Sequence, residues 1–442
     1  MTEVVKNKAE ILKSEIFKLI EKYYSENFEK KDFIAGKNIV PVSGKVFDHE
    51  EMNYIVESAL DGWFTTGRFN KEFEKELAKF INVAKCITVN SGSSANLLAL
   101  ASLTSEQLGD RAIKKGDEII TTPVSFPTTL NPSLLYGLVP VFVDAELPTY
   151  NIDVEKIESA IGPKTKAIMV AHTLGNPYDA DKVSKIAKKN KLWLIEDCCD
   201  ALGGKFNEKH VGTFGDVATL SFYPAHHITM GEGGAVFTNN VKLKKIIESF
   251  RDWGRDCWCD PGNDNTCGKR FEWQLGDLPM GYDHKYIYSH LGYNLKITDM
   301  QAALGLAQLK KLDSFIEIRN RNFERLKAGL LNLSDKLILP EATPGSEPSW
   351  FGFLITIKDN AGISRNELIA KYTGANIATR LLFAGDIRKQ PYFKNQNYRV
   401  VGDLKNTEII LNNTFWLGVT PMINDEMIDY VIEVTNKIFN TA

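Results

Sequence analysis

Six cysteines occur in the 442-residue chain, and three of them, Cys257, Cys259 and Cys267, fall within eleven consecutive residues. In a chain without a spread disulfide framework, thiols grouped so closely point to a metal or a redox site, because thiolates are soft, strong ligands. Cys198 and Cys199 directly follow Ile195-Glu196-Asp197, an acidic pair at the end of an apolar run. The sixth, Cys86, reads as a small buried apolar residue.

Three further segments carry chemistry. Asn90-Ser91-Gly92-Ser93-Ser94-Ala95-Asn96 lies between an expected strand and an expected helix. A Gly/Ser turn there presents backbone N–H groups, hydroxyls and the positive end of the helix dipole, which suit a phosphate, although a Ser-capped helix alone would look the same. Glu196-Asp197 ends a strand, where open α/β sheets bind ligands; an acid there can hold a protonated ring nitrogen or cap the next helix. Ser221-Phe222-Tyr223-Pro224-Ala225-His226-His227 runs on to Gly231-Glu232-Gly233-Gly234. Its histidines offer a proton-transfer group, and adjacent side chains diverge too far to chelate one metal well.

These pieces need a scaffold. Short β-rich runs at Cys86–Val89, Glu118–Thr122, Val139–Val143, Lys166–Val170, Leu192–Glu196, Val217–Ser221 and Ala235–Thr238 alternate with helical stretches such as Ala95–Leu103 and Ala180–Lys189. That alternation predicts a mostly parallel sheet covered on both faces. Residues 252–292 break the pattern with Asp, Gly, Asn, Pro and aromatics, and helices are expected at Thr298–Asp313 and Ile316–Leu331. The expected division is an N-terminal helical segment (1–50), a large domain (51–313, with the insertion 252–292) and a smaller C-terminal α/β domain (314–442). Met1 to Phe28 reads as an amphipathic helix with Leu12, Ile16, Leu19, Ile20 and Tyr23 on one face. Charge runs through it, so it is not a signal peptide, and no apolar run approaches the ~20 residues of a membrane span. With 53 basic against 56 acidic residues, no whole-chain field draws nucleic acid or an anionic membrane. A cytoplasmic protein acting on small solutes is expected.

Taken in order, the segments resemble the vitamin B6-dependent DegT/DnrJ/EryC1 sugar aminotransferase family of fold type I. The matching pieces begin with Gly62-Trp63-Phe64-Thr65-Thr66-Gly67, Asn90-Ser91-Gly92-Ser93-Ser94-Ala95 and Pro123-Val124-Ser125-Phe126. They continue with Pro140-Val141-Phe142-Val143-Asp144, Glu196-Asp197, Ser221-Phe222-Tyr223-Pro224 with Gly231-Glu232-Gly233-Gly234, Gly292-Tyr293-Asn294 and Ala302-Ala303-Leu304-Gly305. The resemblance implies that Gly92, Ser93, Ser94 and Ser221 hold the cofactor phosphate. It further implies that Phe126 stacks on the pyridine ring, that Asp197 pairs with its nitrogen, and that Asn294 reaches the cofactor phosphate of the neighbouring subunit in a homodimer.

One departure decides the expected reaction. Where the family's aminotransferases have the lysine that tethers the cofactor, this chain has His226. Imidazole forms no imine, so the resemblance implies pyridoxamine 5′-phosphate held noncovalently and His226 as a base, as in the pyridoxamine-dependent sugar 3-dehydratases. Asp200 and Tyr223, which also differ from the aminotransferases, are expected against the cofactor. Of the two subgroups that share the histidine, one acts on a GDP-linked mannose derivative without a metal cluster. The other acts on CDP-4-keto-6-deoxy-D-glucose with a 2Fe–2S cluster and an NADH-dependent flavin/iron–sulfur reductase, in the 3,6-dideoxysugar synthesis that supplies O-antigen. Starting at Cys199 the cysteines read C-x57-C-x-C-x7-C, which matches the second subgroup. The expected ligands are therefore Cys199, Cys257, Cys259 and Cys267, with Cys198 competing for the first place. Four thiolates also suit structural zinc, although this spacing is not that of paired zinc knuckles. A zinc-stabilised binding protein that has lost catalysis is the remaining alternative. Arg380, Arg388 and Lys389 are candidates for a substrate diphosphate, whereas His172 and the tryptophans 253, 258 and 273 read as turn and packing residues.

Overall fold

The computed structural model describes residues 3–28, 32–259 and 262–440. Eight strands form one large sheet in the order Lys85–Val89, Gly234–Thr238, Val217–Ser221, Trp193–Asp197, Thr165–Ala171, Glu118–Thr121, Val139–Phe142 and Arg399–Val400. Only Gly234–Thr238 runs against its neighbours; the other pairings are parallel. The seven apolar runs expected between 86 and 238 are all strands, with ends within one residue of expectation. Trp193–Asp197, Val217–Ser221 and Gly234–Thr238 are buried along their whole length, because helices cover both faces of a parallel sheet. One face packs Ile87, Val89 and Ile195 under the helices Gly92–Ser102 and Val241–Arg251. The opposite face packs Ile168, Val170 and Leu194 against the helix Ala180–Lys189.

A second, antiparallel sheet takes the order Leu337–Ile338, Gly352–Ile357, Thr414–Gly418 and Thr379–Arg380. Its core of Phe353, Ile355 and Phe415 is closed by Phe323 and Leu326 from one helix and Val431 and Phe439 from another. The expected helices at 298–331 form as Asp299–Leu309 and Leu312–Leu330. The second of these carries the chain through position 314 without a break. Arg399–Val400 then returns to pair with Val141–Phe142, and Val40 bridges to Ile377. Both the C-terminal part and the N-terminal segment are thus stitched into their neighbours.

The described residues of the insertion 252–292 have little regular structure beyond the short turn His284–Tyr286. Side chains order it instead. Arg270 grips Asp283 with two bonds of 2.8 and 2.6 Å, and His284 Nε2 meets Asp256 at 2.7 Å. The N-terminal helix runs from Glu3 to Asn27, with Met1 and Thr2 outside the described residues. Its expected apolar face is left open, since Leu12, Leu19 and Tyr23 are more than half exposed. Among the described residues no helix is long and apolar enough to cross a membrane.

Candidate functional site

The C-terminal ends of the parallel strands open into a cavity of about 640 Å³. Strand Lys85–Val89 leads into it through Ser91, whose extended backbone caps the helix Gly92–Ser102. Ser91 Oγ accepts from the Ser94 N–H at 3.0 Å and bonds the Ser94 hydroxyl at 3.0 Å. The Ser94 hydroxyl accepts from Ser91 there, and Ser91, Gly92, Ser93 and Ser221 line the cavity. Gly92 is required by proximity: a Cβ there would lie 2.4 Å from Ser221 Cβ. Gly92→Ala is expected to cost about 1–3 kcal/mol by overpacking and to weaken phosphate capture. Urea unfolding and a titration with pyridoxal phosphate would read the two effects separately.

Asp197 ends its strand almost fully buried at the cavity floor. Its Oδ2 accepts from Asn96 Nδ2 at 2.8 Å and Thr129 Oγ1 at 2.7 Å, and its Oδ1 accepts from the Cys199 N–H at 3.1 Å. Thr219 in turn orients Asn96 through a 2.7 Å bond. A carboxylate has about four acceptor positions, so one is left for a ligand. Asn96, Thr129 and Thr219 escaped the sequence reading because single polar residues in apolar helices and strands carry no motif. Phe126, half exposed at the start of the helix Pro127–Leu135, borders the cavity with its ring edge-on to Phe383.

His226 also lines the cavity, with Nδ1 3.3 Å from Asp200 Oδ1. The turn that carries it is clamped by Arg319, a fully buried side chain that donates to the carbonyls of Ala225, His226 and Phe351. Burial pushes that guanidinium down to about 10, opposed by the Asp200 carboxylate. Arg319 sits on a remote helix and has no local signature. His227 turns away: its Nε2 meets Ser349 O at 2.9 Å, and burial, then the Arg319 charge, hold it well below the usual imidazole range. Tyr223, Glu232 and Arg380 reach the cavity, whereas Arg388 is spent on Asp386 and Lys389 lies beside Glu408. No lysine is among the described residues that line it.

The cysteines separate into three groups. Cys198 packs into the hydrophobic core with Cys86. Cys199 lines the large cavity, where burial and the neighbouring Asp197 and Asp200 carboxylates push its thiol well up. Cys257, Cys259 and Cys267 surround a small cavity of about 10 Å³ inside the insertion, together with His284, Arg270 and Lys285. Although burial opposes it, hydrogen bonds from Thr266 and Cys257 hold the Cys259 thiol below its ordinary range. Three of the four expected ligands thus line one cavity, with sulfurs not all within 4.8 Å of one another, and Cys199 lies in the other cavity. Asn294 is also absent from the large cavity, since its side chain accepts from Lys296 Nζ at 2.7 Å. One buried trio, His172, Glu196 and Cys198, has ligand atoms within 4.8 Å of one another. Glu196 is already occupied there by the N–H groups of Gly212, Phe214 and Gly215, which makes the trio structural.

The chain is similar to known proteins over nearly its whole length. It is 59% identical to the lipopolysaccharide biosynthesis protein RfbH of Salmonella typhimurium, covering 97% of this chain and 98% of that protein. It is 53% identical to the dTDP-4-dehydro-2,6-dideoxy-D-glucose 3-dehydratase of Saccharopolyspora spinosa, covering 95% and 91%. Among solved structures, the E. coli GDP-4-keto-6-deoxy-D-mannose-3-dehydratase with bound hydrated PLP superposes with a TM-score of 0.80 at 32% identity, covering 90% and 99%. The fold is that of the fold type I enzymes, as expected. With residues 45–436 matching its model, the chain belongs to the DegT/DnrJ/EryC1/StrS aminotransferase family.

Proposed function

We propose that the chain is a nucleotide-sugar 3-dehydratase that works with pyridoxamine 5′-phosphate held without a covalent tether. One observation carries this reading: His226, backed by Asp200, stands in a cavity that no described lysine lines. The residues present fit the cofactor, because a phosphate cradle at a helix N-terminus and a buried carboxylate with a spare acceptor position occupy the same cavity. When bound, the cofactor supplies a primary amine for condensation with a 4-keto sugar and a ring that takes up electrons.

The remaining work belongs to the chain. The free N–H groups at Gly92 and Ser93, with the Ser221 hydroxyl, take the phosphate. Phe126 covers a ring face, and Asp197 keeps the ring nitrogen protonated. His226 removes a proton from the carbon that bears the amine, and Asp200 stabilises the imidazolium that results. Tyr223 flanks the ring, and Arg380 at the cavity mouth meets the substrate diphosphate.

The finer reading is CDP-4-keto-6-deoxy-D-glucose as substrate, in dideoxysugar and lipopolysaccharide synthesis. The choice of a CDP sugar rests on the cysteine spacing alone; the Salmonella relative, a lipopolysaccharide biosynthesis protein, supports the pathway, and the Saccharopolyspora relative, a dTDP-sugar 3-dehydratase, supports the reaction. To this we add a four-thiolate iron–sulfur centre from Cys199, Cys257, Cys259 and Cys267. With an NADH-dependent flavin/iron–sulfur reductase as partner, the net reaction is reductive removal of the C3 hydroxyl. Within one copy three of the four thiols line one cavity and Cys199 lines another. That separation favours, as a second reading, a cluster-free dehydration of a GDP-linked sugar.

The test is purified protein given pyridoxamine phosphate and CDP-, dTDP- or GDP-linked 4-keto-6-deoxyhexoses. Loss of the C3 hydroxyl from the CDP sugar by brown protein with about two irons per chain is expected, as a 2Fe–2S centre requires. Colourless, iron-free protein that turns over only the GDP sugar would establish the second reading. Failure to bind the cofactor at all would leave a non-catalytic binding protein.

A further inference from the structure

His227, which the proposed mechanism does not use, is buried beside the base and held by protein at one ring nitrogen. Its Nε2 meets Ser349 O at 2.9 Å. A carbonyl only accepts, so Nε2 carries the proton, and a neutral imidazole then leaves a lone pair on Nδ1. Burial and the Arg319 charge keep the ring neutral. That Nδ1 is buried with no hydrogen-bond partner among the described residues. Arg319 has the complementary lack. Its terminal nitrogens donate to the carbonyls of Phe351, Ala225 and His226, whereas Nε, also a donor, is buried with no partner among the described residues.

Both residues line one small cavity of about 10 Å³, together with Pro224 and His226 of the turn, Thr229, Gln308 and Phe315. That is the room one water molecule needs. A buried donor and a buried acceptor at the same cavity call for an occupant that can both accept and donate. The guanidinium repels a cation, and the imidazole lone pair repels an anion, which leaves water. Gln308 supplies a third contact. Its Nε2 is spent on Val46 O and Glu51 Oε1, while its Oε1 accepts from the Thr229 N–H at 3.3 Å and keeps a second acceptor position. Three partners are the usual number for a buried water.

We propose that a buried water joins Arg319 Nε, His227 Nδ1 and Gln308 Oε1, and that His227 is through it a positioning residue for His226. Held at both ring nitrogens, the His227 side chain cannot swing, and the backbone from which His226 projects is fixed with it. Ser349, just ahead of the strand Gly352–Ile357, holds one side of the ring, and the helix Leu312–Leu330 holds the other through the water. The same water aims the guanidinium at the carbonyls of Ala225 and His226. Such tight placement matters for a base, since a misplacement of about 1 Å can cost roughly 10²-fold in rate. The inference rests on the reading of His226 as the base.

Two substitutions separate the water from the anchor to Ser349. In His227→Asn the amide oxygen stands near the place of Nδ1, and the Ser349 bond is lost. In His227→Gln the amide nitrogen still reaches Ser349 O, and the acceptor at Nδ1 is lost. The full-length chain is loaded with pyridoxamine phosphate and given the nucleotide-linked 4-keto sugar that the parent turns over, and exchange of the cofactor methylene protons with deuterated solvent is followed by NMR. His227→Gln is expected to lower exchange by about 10–100-fold with cofactor affinity unchanged, and His227→Asn to lose several-fold less. An unimpaired His227→Gln, or an Asn variant that loses as much or more, would overturn the proposal and leave His227 as an anchor to Ser349 alone. A crystal structure of the parent with pyridoxamine phosphate decides the water without any variant. Density for a solvent molecule bonded to both Arg319 Nε and His227 Nδ1 is expected, and a cavity without it would overturn the proposal. With that density present, parental exchange in His226→Asn would sink the reading of His226 as the base and leave the water site standing.

Discussion

His226→Asn is expected to lower proton removal from the cofactor's amine-bearing carbon by roughly 10²–10⁴-fold, the usual contribution of a placed general base. Asparagine keeps a polar group of similar reach but cannot accept a proton near neutral pH. The cavity would otherwise stay intact, because Arg319 clamps this turn through the backbone carbonyls of Ala225 and His226, which the substitution leaves in place. Binding of pyridoxamine phosphate should therefore change little. The measurement is exchange of the cofactor methylene protons with deuterated solvent in the presence of substrate, followed by NMR. Exchange at the parental rate would remove His226 as the base. Asp200→Asn supplies an internal comparison: it keeps a polar group of the same size 3.3 Å from Nδ1 but withdraws the charge that stabilises the imidazolium. A smaller loss than for His226→Asn is expected from it.

The scaffold of this site was largely legible because parallel strands buried on both faces leave an unmistakable pattern of apolar runs. Each of the seven runs is a strand, and the acid, the Gly/Ser turn and the histidine all sit at the ends where that topology opens. The supporting shell was not legible. Asn96, Thr129, Thr219 and Arg319 act through contacts between residues 68 to 123 positions apart, and nothing local distinguishes a buried threonine that orients a carboxylate from one that fills a core. Ser94 shows a different obstacle. Three serines in a Gly/Ser turn look equivalent in sequence, yet the helix start joins Ser91 to Ser94 in its cap, and Ser91 and Ser93 line the cavity while Ser94 does not. The cysteines show a third, since spacing groups four residues that one folded copy keeps in two cavities.

The second large effect falls on Asp197. Asp197→Ala is expected to cost roughly 10²–10³-fold in dehydration, the range seen when one preorganised electrostatic partner is removed from a developing charge. Without the carboxylate the ring nitrogen of the bound cofactor loses its proton, and the ring becomes a poorer acceptor for the electron pair that His226 releases. The same change leaves Asn96 Nδ2, Thr129 Oγ1 and the Cys199 N–H without their acceptor. A stability loss of about 1–3 kcal/mol follows if water does not replace it. The two consequences can be told apart. A cofactor analogue methylated on the ring nitrogen carries a permanent positive charge, and the methyl group fits the space vacated by the carboxylate. It should recover much of the lost rate in Asp197→Ala while leaving the unfolding midpoint of the unliganded protein unchanged. If the analogue fails to restore the rate although it binds, the carboxylate acts only by holding Asn96 and Thr129 in place, and the assignment of Asp197 to the ring nitrogen falls.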